Sequence, residues 1–279
     1  MNIVLIGAGN VATHLGIALA KAGHQITQVY SRTAASAAEL TQKLNTLLEH
    51  DVKAVKGKKA TSCKISWTTD LNEISPVADL YLVMLKDAVL GDVLPKLVAC
   101  NPQGLFVHTA GSVPMNIWEG LTTRYGVLYP MQTFSKAREV DFTQVHFFIE
   151  ARQPHDTAIL KELASQLSDH VVEASSEQRK YLHLSAVFAC NFTNHMYAIC
   201  EKLLTEHGLP FSSMFPLIDE TARKVHQLSP VDAQTGPAQR NDRNVMQRQE
   251  NLLQDEPQIA ELYRLISEHI VSYQQERKK

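Results

Sequence analysis

The residues best suited to chemistry stand at the start of the chain. Gly7-Ala8-Gly9-Asn10-Val11-Ala12 follows a short apolar run, Asn2 to Ile6, and opens an amphipathic segment, Val11 to Ala22, with Val11, Leu15, Ala18, Leu19 and Ala22 expected on one face. This is the GxGxxG/A pattern in the context that gives it meaning: a strand, a tight turn and a helix. Gly7 permits the turn, Gly9 lets the main chain approach a pyrophosphate, and Ala12 lets the helix pack closely on the strand. The unpaired N–H groups and partial positive charge of the helix N-terminus then suit phosphate. The next strand, Gln25 to Tyr30, ends in Ser31-Arg32-Thr33. An acidic residue there would hold the ribose 2′-hydroxyl of NAD. Arg32 instead suits a 2′-phosphate and can stack on adenine, with the hydroxyls of Ser31 and Thr33 as donors. The expected cofactor is NADP(H).

Other candidates lie further along. His108 closes a strand, where ligands gather in open α/β sheets; a buried histidine bonded to backbone is the competing reading. Tyr129, Gln132 and Thr133 offer donors near the same rim. His183, Asn191, Asn194 and His195 fall on one long helical stretch, and positions 187, 191, 194, 195 and 198 share a face. The two asparagines suit a polar substrate or the capping of a neighbouring turn. Histidine as a residue type suits proton exchange near neutral pH, so His195 is a candidate proton donor, or it is a structural histidine. Gln234-Thr235-Gly236-Pro237, with Arg240 and Asn241, is a donor-rich turn able to enclose an anionic group, or an ordinary interhelical linker.

These residues need elements to hold them. Strand and helix signals alternate through the first half: helices at 11–22, 34–48, 87–99 and 157–167, and strands at 79–85, 105–108, 126–129, 145–149 and 170–173. Gly23 suits the end of the first helix, and Pro95 is expected near a bend or a helix start. Lys53, Lys56, Lys58, Lys59 and Lys64 around Gly57 read as a solvated loop or as a basic flap near the phosphates. From Ser176 strand signals vanish, with helices expected at 177–207, 211–227, 241–253 and 258–275. The expected architecture is α/β. A doubly wound, mainly parallel dinucleotide-binding domain spans 1–175, and a helical domain for substrate and dimerisation spans 176–279.

Composition narrows the class. A net charge of -2 over 279 residues favours neither nucleic acid nor an anionic membrane. No apolar run approaches the roughly 20 residues of a spanning helix. Cys63, Cys100, Cys190 and Cys200 form no CxxC pair and no metal-ligand spacing, so thiols in a reducing, cytoplasmic setting are expected, with no metal.

On these motifs the chain resembles the 6-phosphogluconate dehydrogenase-like superfamily, which includes pyrroline-5-carboxylate reductase and the β-hydroxyacid dehydrogenases. Val83-Met84-Leu85-Lys86-Asp87 resembles the strand end that those proteins set beside the nicotinamide ribose. His108-Thr109-Ala110-Gly111-Ser112 resembles their next turn, facing nicotinamide and substrate. The segments Tyr129 to Lys136, His183 to Tyr197, Pro216 to Lys224 and Gln234 to Asp242 resemble a bacterial family of NADP oxidoreductases that joins a Rossmann-like domain to a helical domain of unknown function. The resemblance implies a helical second domain of the 6-phosphogluconate dehydrogenase C-terminal type, often dimeric. The resemblance also implies cofactor contacts at Leu85, Lys86, Ala110 and Gly111, and places Ser112 near the reaction. The β-hydroxyacid dehydrogenases carry a catalytic lysine where this chain has Asn191, and asparagine cannot donate a proton at neutral pH. The expectation is therefore an NADP-dependent oxidoreductase acting on a small polar metabolite, with carboxylated ones among the candidates. A catalytically silent NADP(H) sensor is the alternative, and hydride exchange with a flavin or deazaflavin a third reading.

Overall fold

The computed structural model describes residues 1–54 and 64–276. Most of the basic segment 53–64 therefore lies outside the described residues. By contacts the chain divides into two compact units, Met1–Cys190 and Asn191–Lys279.

The first unit is built on one eight-stranded sheet. Its strands are β1 (Asn2–Ile6), β2 (Gln25–Tyr30), β3 (Ser66–Thr68), β4 (Leu80–Val83), β5 (Leu105–His108), β6 (Tyr125–Met131), β7 (His146–Ala151) and β8 (Val171–Glu173). Their order across the sheet is β3-β2-β1-β4-β5-β6-β7-β8. All neighbours run parallel except β6 and β7. This is the expected doubly wound sheet. The chain leaves β1 toward β2 and β3, then crosses to β4 on the other side, so a crevice opens at the carboxyl ends of β1 and β4.

Both faces of the sheet are buried, which explains why its strands read as continuous apolar runs. Side chains still alternate. Ile3, Leu5, Leu80, Leu82, Leu105 and Val107 join one core, while Val4, Ile6, Tyr81, Val83 and Phe106 join the other. Helices α1 (Asn10–Lys21), α2 (Ala34–Ala54) and α4 (Pro154–Ser165) supply side chains to the first core, and α3 (Asp87–Val98) to the second.

Three local expectations change. The fully buried face of α1 is centred on Ala12, Leu15, Gly16 and Leu19, with Val11, Ala18 and Ala22 only at its margin. Pro95 stands inside α3 and not at its start. The short β3 adds a strand that carries too few residues to show a period.

Helix α5 (Ser176–Ala186) opens with a capping box between Ser175 and Gln178 and runs into a π-helical stretch, Val187–Phe192, within which the two units divide. The second unit is helical: α6 (Thr193–Glu206), α7 (Phe215–Lys224), α8 (Pro230–Ala233), α9 (Arg243–Asn251) and α10 (Pro257–Glu276). Its own buried cluster is small, formed by Ala238, Met246 and Val271. Leu217, Leu252 and Leu265 stay 62%, 83% and 56% exposed.

Candidate functional site

The glycine turn has the shape that a dinucleotide requires. Gly7 adopts φ +126°, and a Cβ there would lie 2.4 Å from the Met84 carbonyl oxygen. Its N–H donates to the Tyr30 carbonyl at 2.8 Å, which pins the turn to the end of β2. Gly9 caps α1 without a side-chain hydrogen bond, and no atom lies within 4 Å of where its Cβ would stand. The leading N–H groups of α1 thus face an open cradle that a side chain would fill, and it fits a pyrophosphate. Ala8 and Ala12 are buried beneath it. One turn on, a Cβ at Gly16 would meet Leu5 at 2.8 Å, a close-packing position that the motif alone does not reveal.

Val11 packs at the core margin, whereas Asn10 and His14 reach sideways. Asn10 Nδ2 donates to the Phe134 carbonyl and His14 Nε2 to the Ser135 carbonyl, each at 2.9 Å. The segment after β6 is thereby tied across the start of α1. Gln132 and Thr133 stand exposed just before that tie.

At the end of β2, Ser31 Oγ lies 3.5 Å from the Thr33 N–H, and Thr33 Oγ1 donates to Ser36. Arg32 is exposed and makes no hydrogen bond or ion pair among the described residues. Its guanidinium is therefore available to a phosphate without breaking an existing contact.

Two further strand ends meet nearby. Leu85 is half-buried, Lys86 caps α3 and points to solvent, and Asp87 accepts a 2.5 Å hydrogen bond from Ser112 Oγ. His108 is wholly buried. Its Nδ1 accepts from the Ala110 N–H at 3.2 Å, and its ring stacks on Trp118. Nε2, which carries the proton, points toward the Pro114 carbonyl without a hydrogen bond of normal geometry. Burial first, and the Arg179 charge second, push its pKa down to about 3. The imidazole thus shapes the turn from within. The sequence reading of His108 as a cofactor contact does not extend to its side chain, which has no exposed surface.

The strongest feature of this turn was not visible in the sequence. Arg179, wholly buried on α5, donates Nη1 to the carbonyls of Ala110, Gly111 and Val113 at 3.2, 3.5 and 3.0 Å. Its Nη2 donates to Glu150 at 2.8 Å and to Ser176 Oγ at 2.9 Å. Ser176 Oγ in turn donates to Glu150 and accepts the Met115 N–H. One guanidinium therefore clamps the whole turn against β7 and α5. An arginine in the first turns of a polar helix reads as solvent-facing. Only the antiparallel return of β7 brings Glu150 to it.

Tyr129 is half-buried on β6, and its hydroxyl lies 3.3 Å from His183 Nδ1. Burial chiefly, with the Cys190 charge second, raises its pKa.

In the second unit, Asn191, Asn194 and His195 are exposed, Asn191 within the π-helical stretch. Gln234 Nε2 donates to the Thr235 carbonyl, and Gly236 takes φ +102°. Arg240 is exposed and unpaired among the described residues. Among the described residues no cluster of metal-ligating side chains occurs, and no helix is long and apolar enough to cross a membrane.

Residues 2–107 match the family model described as NADP oxidoreductase coenzyme F420-dependent, and residues 145–270 match a domain of unknown function, DUF2520. The chain is 31% identical over 112 residues to glycerol-3-phosphate dehydrogenase [NAD(P)+] of Bacillus velezensis, a match spanning 40% of this chain and 30% of that enzyme. A Thermotoga maritima protein shares the fold at TM-score 0.68 and 19% identity, covering 99% of this chain and 100% of its own. The NADP-bound pyrroline carboxylate reductase of Plasmodium falciparum does so at 0.53 and 12%, covering 97% and 98%. The crystal structure of a Bacteroides fragilis protein, named as a candidate NADP oxidoreductase, is 52% identical over 97% of this chain and 98% of its own, with TM-score 0.87. By that full-length likeness the chain belongs to the same family of NADP oxidoreductases, a Rossmann-type domain followed by a helical domain of unknown function.

Proposed function

We propose that the protein is an oxidoreductase that moves a hydride between NADP(H) and a small polar, carboxylated metabolite. The observation that carries this reading is the pairing of an open glycine cradle with an unpartnered Arg32 at the end of β2. The cradle's backbone N–H groups hold the pyrophosphate, and Arg32, with Ser31 and Thr33, holds the 2′-phosphate. Lys86 and the clamped turn at Ala110 and Gly111 flank the remainder of the cofactor. The bound nicotinamide supplies or accepts the hydride.

On the substrate side we assign hydrogen bonds to Tyr129, Gln132, Thr133 and Ser112 in the first unit. The second unit, taken by itself, carries a separate set of candidate polar groups: Asn191, Asn194, His195, Gln234, Thr235 and Gly236. Arg240 suits a carboxylate, because its guanidinium is exposed and uncommitted. The family description over residues 2–107 favours a deazaflavin as a second hydride partner. Absence of turnover with every metabolite would leave the sensor reading.

Arg32→Asp is the direct test. Loss of a charge-assisted phosphate contact is expected to weaken NADPH binding about 10- to 100-fold, and NADH binding should strengthen as a ribose acceptor is restored. Calorimetry showing unchanged NADPH affinity would remove Arg32 from the site.

Assembly follows from the second unit's surface. Phe215, Leu217, Leu252 and Leu265 are all more than half exposed, more apolar surface than a monomeric helical unit usually leaves to water. A homodimer is expected, and light scattering at micromolar protein should give twice the chain mass; a monomeric mass would refute it. The free thiols of Cys100, Cys190 and Cys200 suit a cytoplasmic setting.

A further inference from the structure

Hydride transfer to a carbonyl or imine also requires a proton, and an asparagine amide such as Asn191 cannot donate one at neutral pH, so the proposed function needs a proton source. The first unit contains one. A Cβ at Gly111 would lie 2.6 to 2.9 Å from three carbons of the Tyr129 ring, so the phenol lies face-on against the turn that follows β5. Its hydroxyl meets His183 Nδ1 at 3.3 Å, with the two rings edge to face. His183 stands one helical turn beyond Arg179 on α5. The same helix face therefore clamps the turn with one residue and contacts the phenol with the next. Phe148 on β7 backs the phenol. Both Tyr129 and His183 keep part of their surface exposed, so a substrate and water can reach them.

We propose that Tyr129 and His183 are the proton-transfer pair of this oxidoreductase, Tyr129 meeting the reacting oxygen or nitrogen of the substrate and His183 resupplying it. The inference rests on the function proposed above. In the reductive direction, hydride from NADPH forms the new C–H bond at the carbonyl or imine carbon. The π electron pair moves onto the heteroatom, which takes the phenolic proton. The phenolate oxygen takes the Nδ1 proton of His183 while Nε2 takes one from solvent, so the ring relays a single proton and the net reaction consumes one proton from water. The substrate gains two electrons and two hydrogens, one as hydride and one as a proton, and NADPH becomes NADP⁺.

The surroundings suit both partners. Burial keeps the Tyr129 hydroxyl protonated until a substrate draws on it, the Cys190 thiol acts in the same direction, and the Arg179 charge acts in the other by favouring phenolate. His183 has Arg179 before it on α5 and Cys190 after it in the π-helical stretch; from the sheet it meets Tyr129, and Glu150 is bound to Arg179.

The test needs only the cofactors. The His183 ring signal is identified in the full chain as the one missing from His183→Gln, and is recorded at one pH with NADPH bound and then with NADP⁺ bound. Oxidised nicotinamide carries a positive charge, so a pair facing it should show the His183 signal at different positions in the two complexes. In Tyr129→Phe, NADPH fluorescence should report unchanged cofactor affinity, while the His183 signal changes through loss of its phenol partner. Identical His183 signals in the two complexes would overturn the pair and leave NADP(H) binding standing. Failure of either cofactor to bind the unmodified chain would overturn the proposed function and the pair with it.

Discussion

Arg179→Met is expected to destabilise the first unit by about 3–5 kcal/mol, the range for removing one partner of a buried ion pair. For a chain of this size that is on the order of 10 °C in melting midpoint. The methionine fills much of the same volume, so the loss is chiefly polar. The carbonyls of Ala110, Gly111 and Val113 lose a donor, and Glu150, 19% exposed, keeps only Ser176. Arg179→Met with Glu150→Gln is expected to melt above Arg179→Met alone, because no uncompensated charge remains buried. Calorimetric melting curves check both statements. A single variant as stable as the unmodified chain would show that the clamp contributes nothing.

The second large effect is a dependence of stability on pH. His108 has a pKa of about 3 in the folded chain, against an ordinary value of 6.5. Between those values the unfolded chain binds a proton that the folded chain refuses. Stability contributed by the neutral, buried ring is thus complete above about pH 6.5 and is lost as pH falls toward 3, by up to about 1.4 kcal/mol per pH unit. In His108→Asn the side-chain oxygen still accepts near the Nδ1 position but carries no titrating group. Urea midpoints compared at pH 7, 5.5 and 4.5 should fall less steeply for His108→Asn than for the unmodified chain. Parallel slopes would show that His108 takes up a proton without unfolding. The two residues are coupled: the Arg179 charge helps hold His108 neutral, so in Arg179→Met the folded chain takes up the His108 proton at higher pH, and stability should fall less steeply with acid than in the unmodified chain.

How much of this was legible in the sequence depended on range. The glycine turn was legible because its requirements are local: Gly7 needs a positive φ, and Ala12 needs little space against a strand. Arg32 was singled out by its place after β2, and the fold leaves it exposed there. The doubly wound sheet followed from apolar runs alternating with helical periods. Ser66–Thr68 could not be seen, since three residues carry no period and only pairing with β2 makes them a strand. The margin of α1 was misjudged because Val11 and Ala22 are apolar yet only partly buried. His108 was drawn to the cofactor by its position at a strand end, and the ring turned inward instead. Arg179 and Glu150 are 29 positions apart, and neither stands in a motif; the fold alone joins them.

The sheet ends at both margins in strands of three residues, β3 and β8. An exposed strand edge is a template on which a second chain can add by backbone pairing, and long flat edges invite fibres and irreversible association. Here each rim offers too few unpaired amides and carbonyls for an added strand to hold register. An eight-stranded sheet would otherwise be a hazard at high concentration or during slow synthesis. With both described rims this short, backbone pairing between copies of the chain is disfavoured at the margins of the sheet, which leaves side-chain surfaces as the favoured route to association.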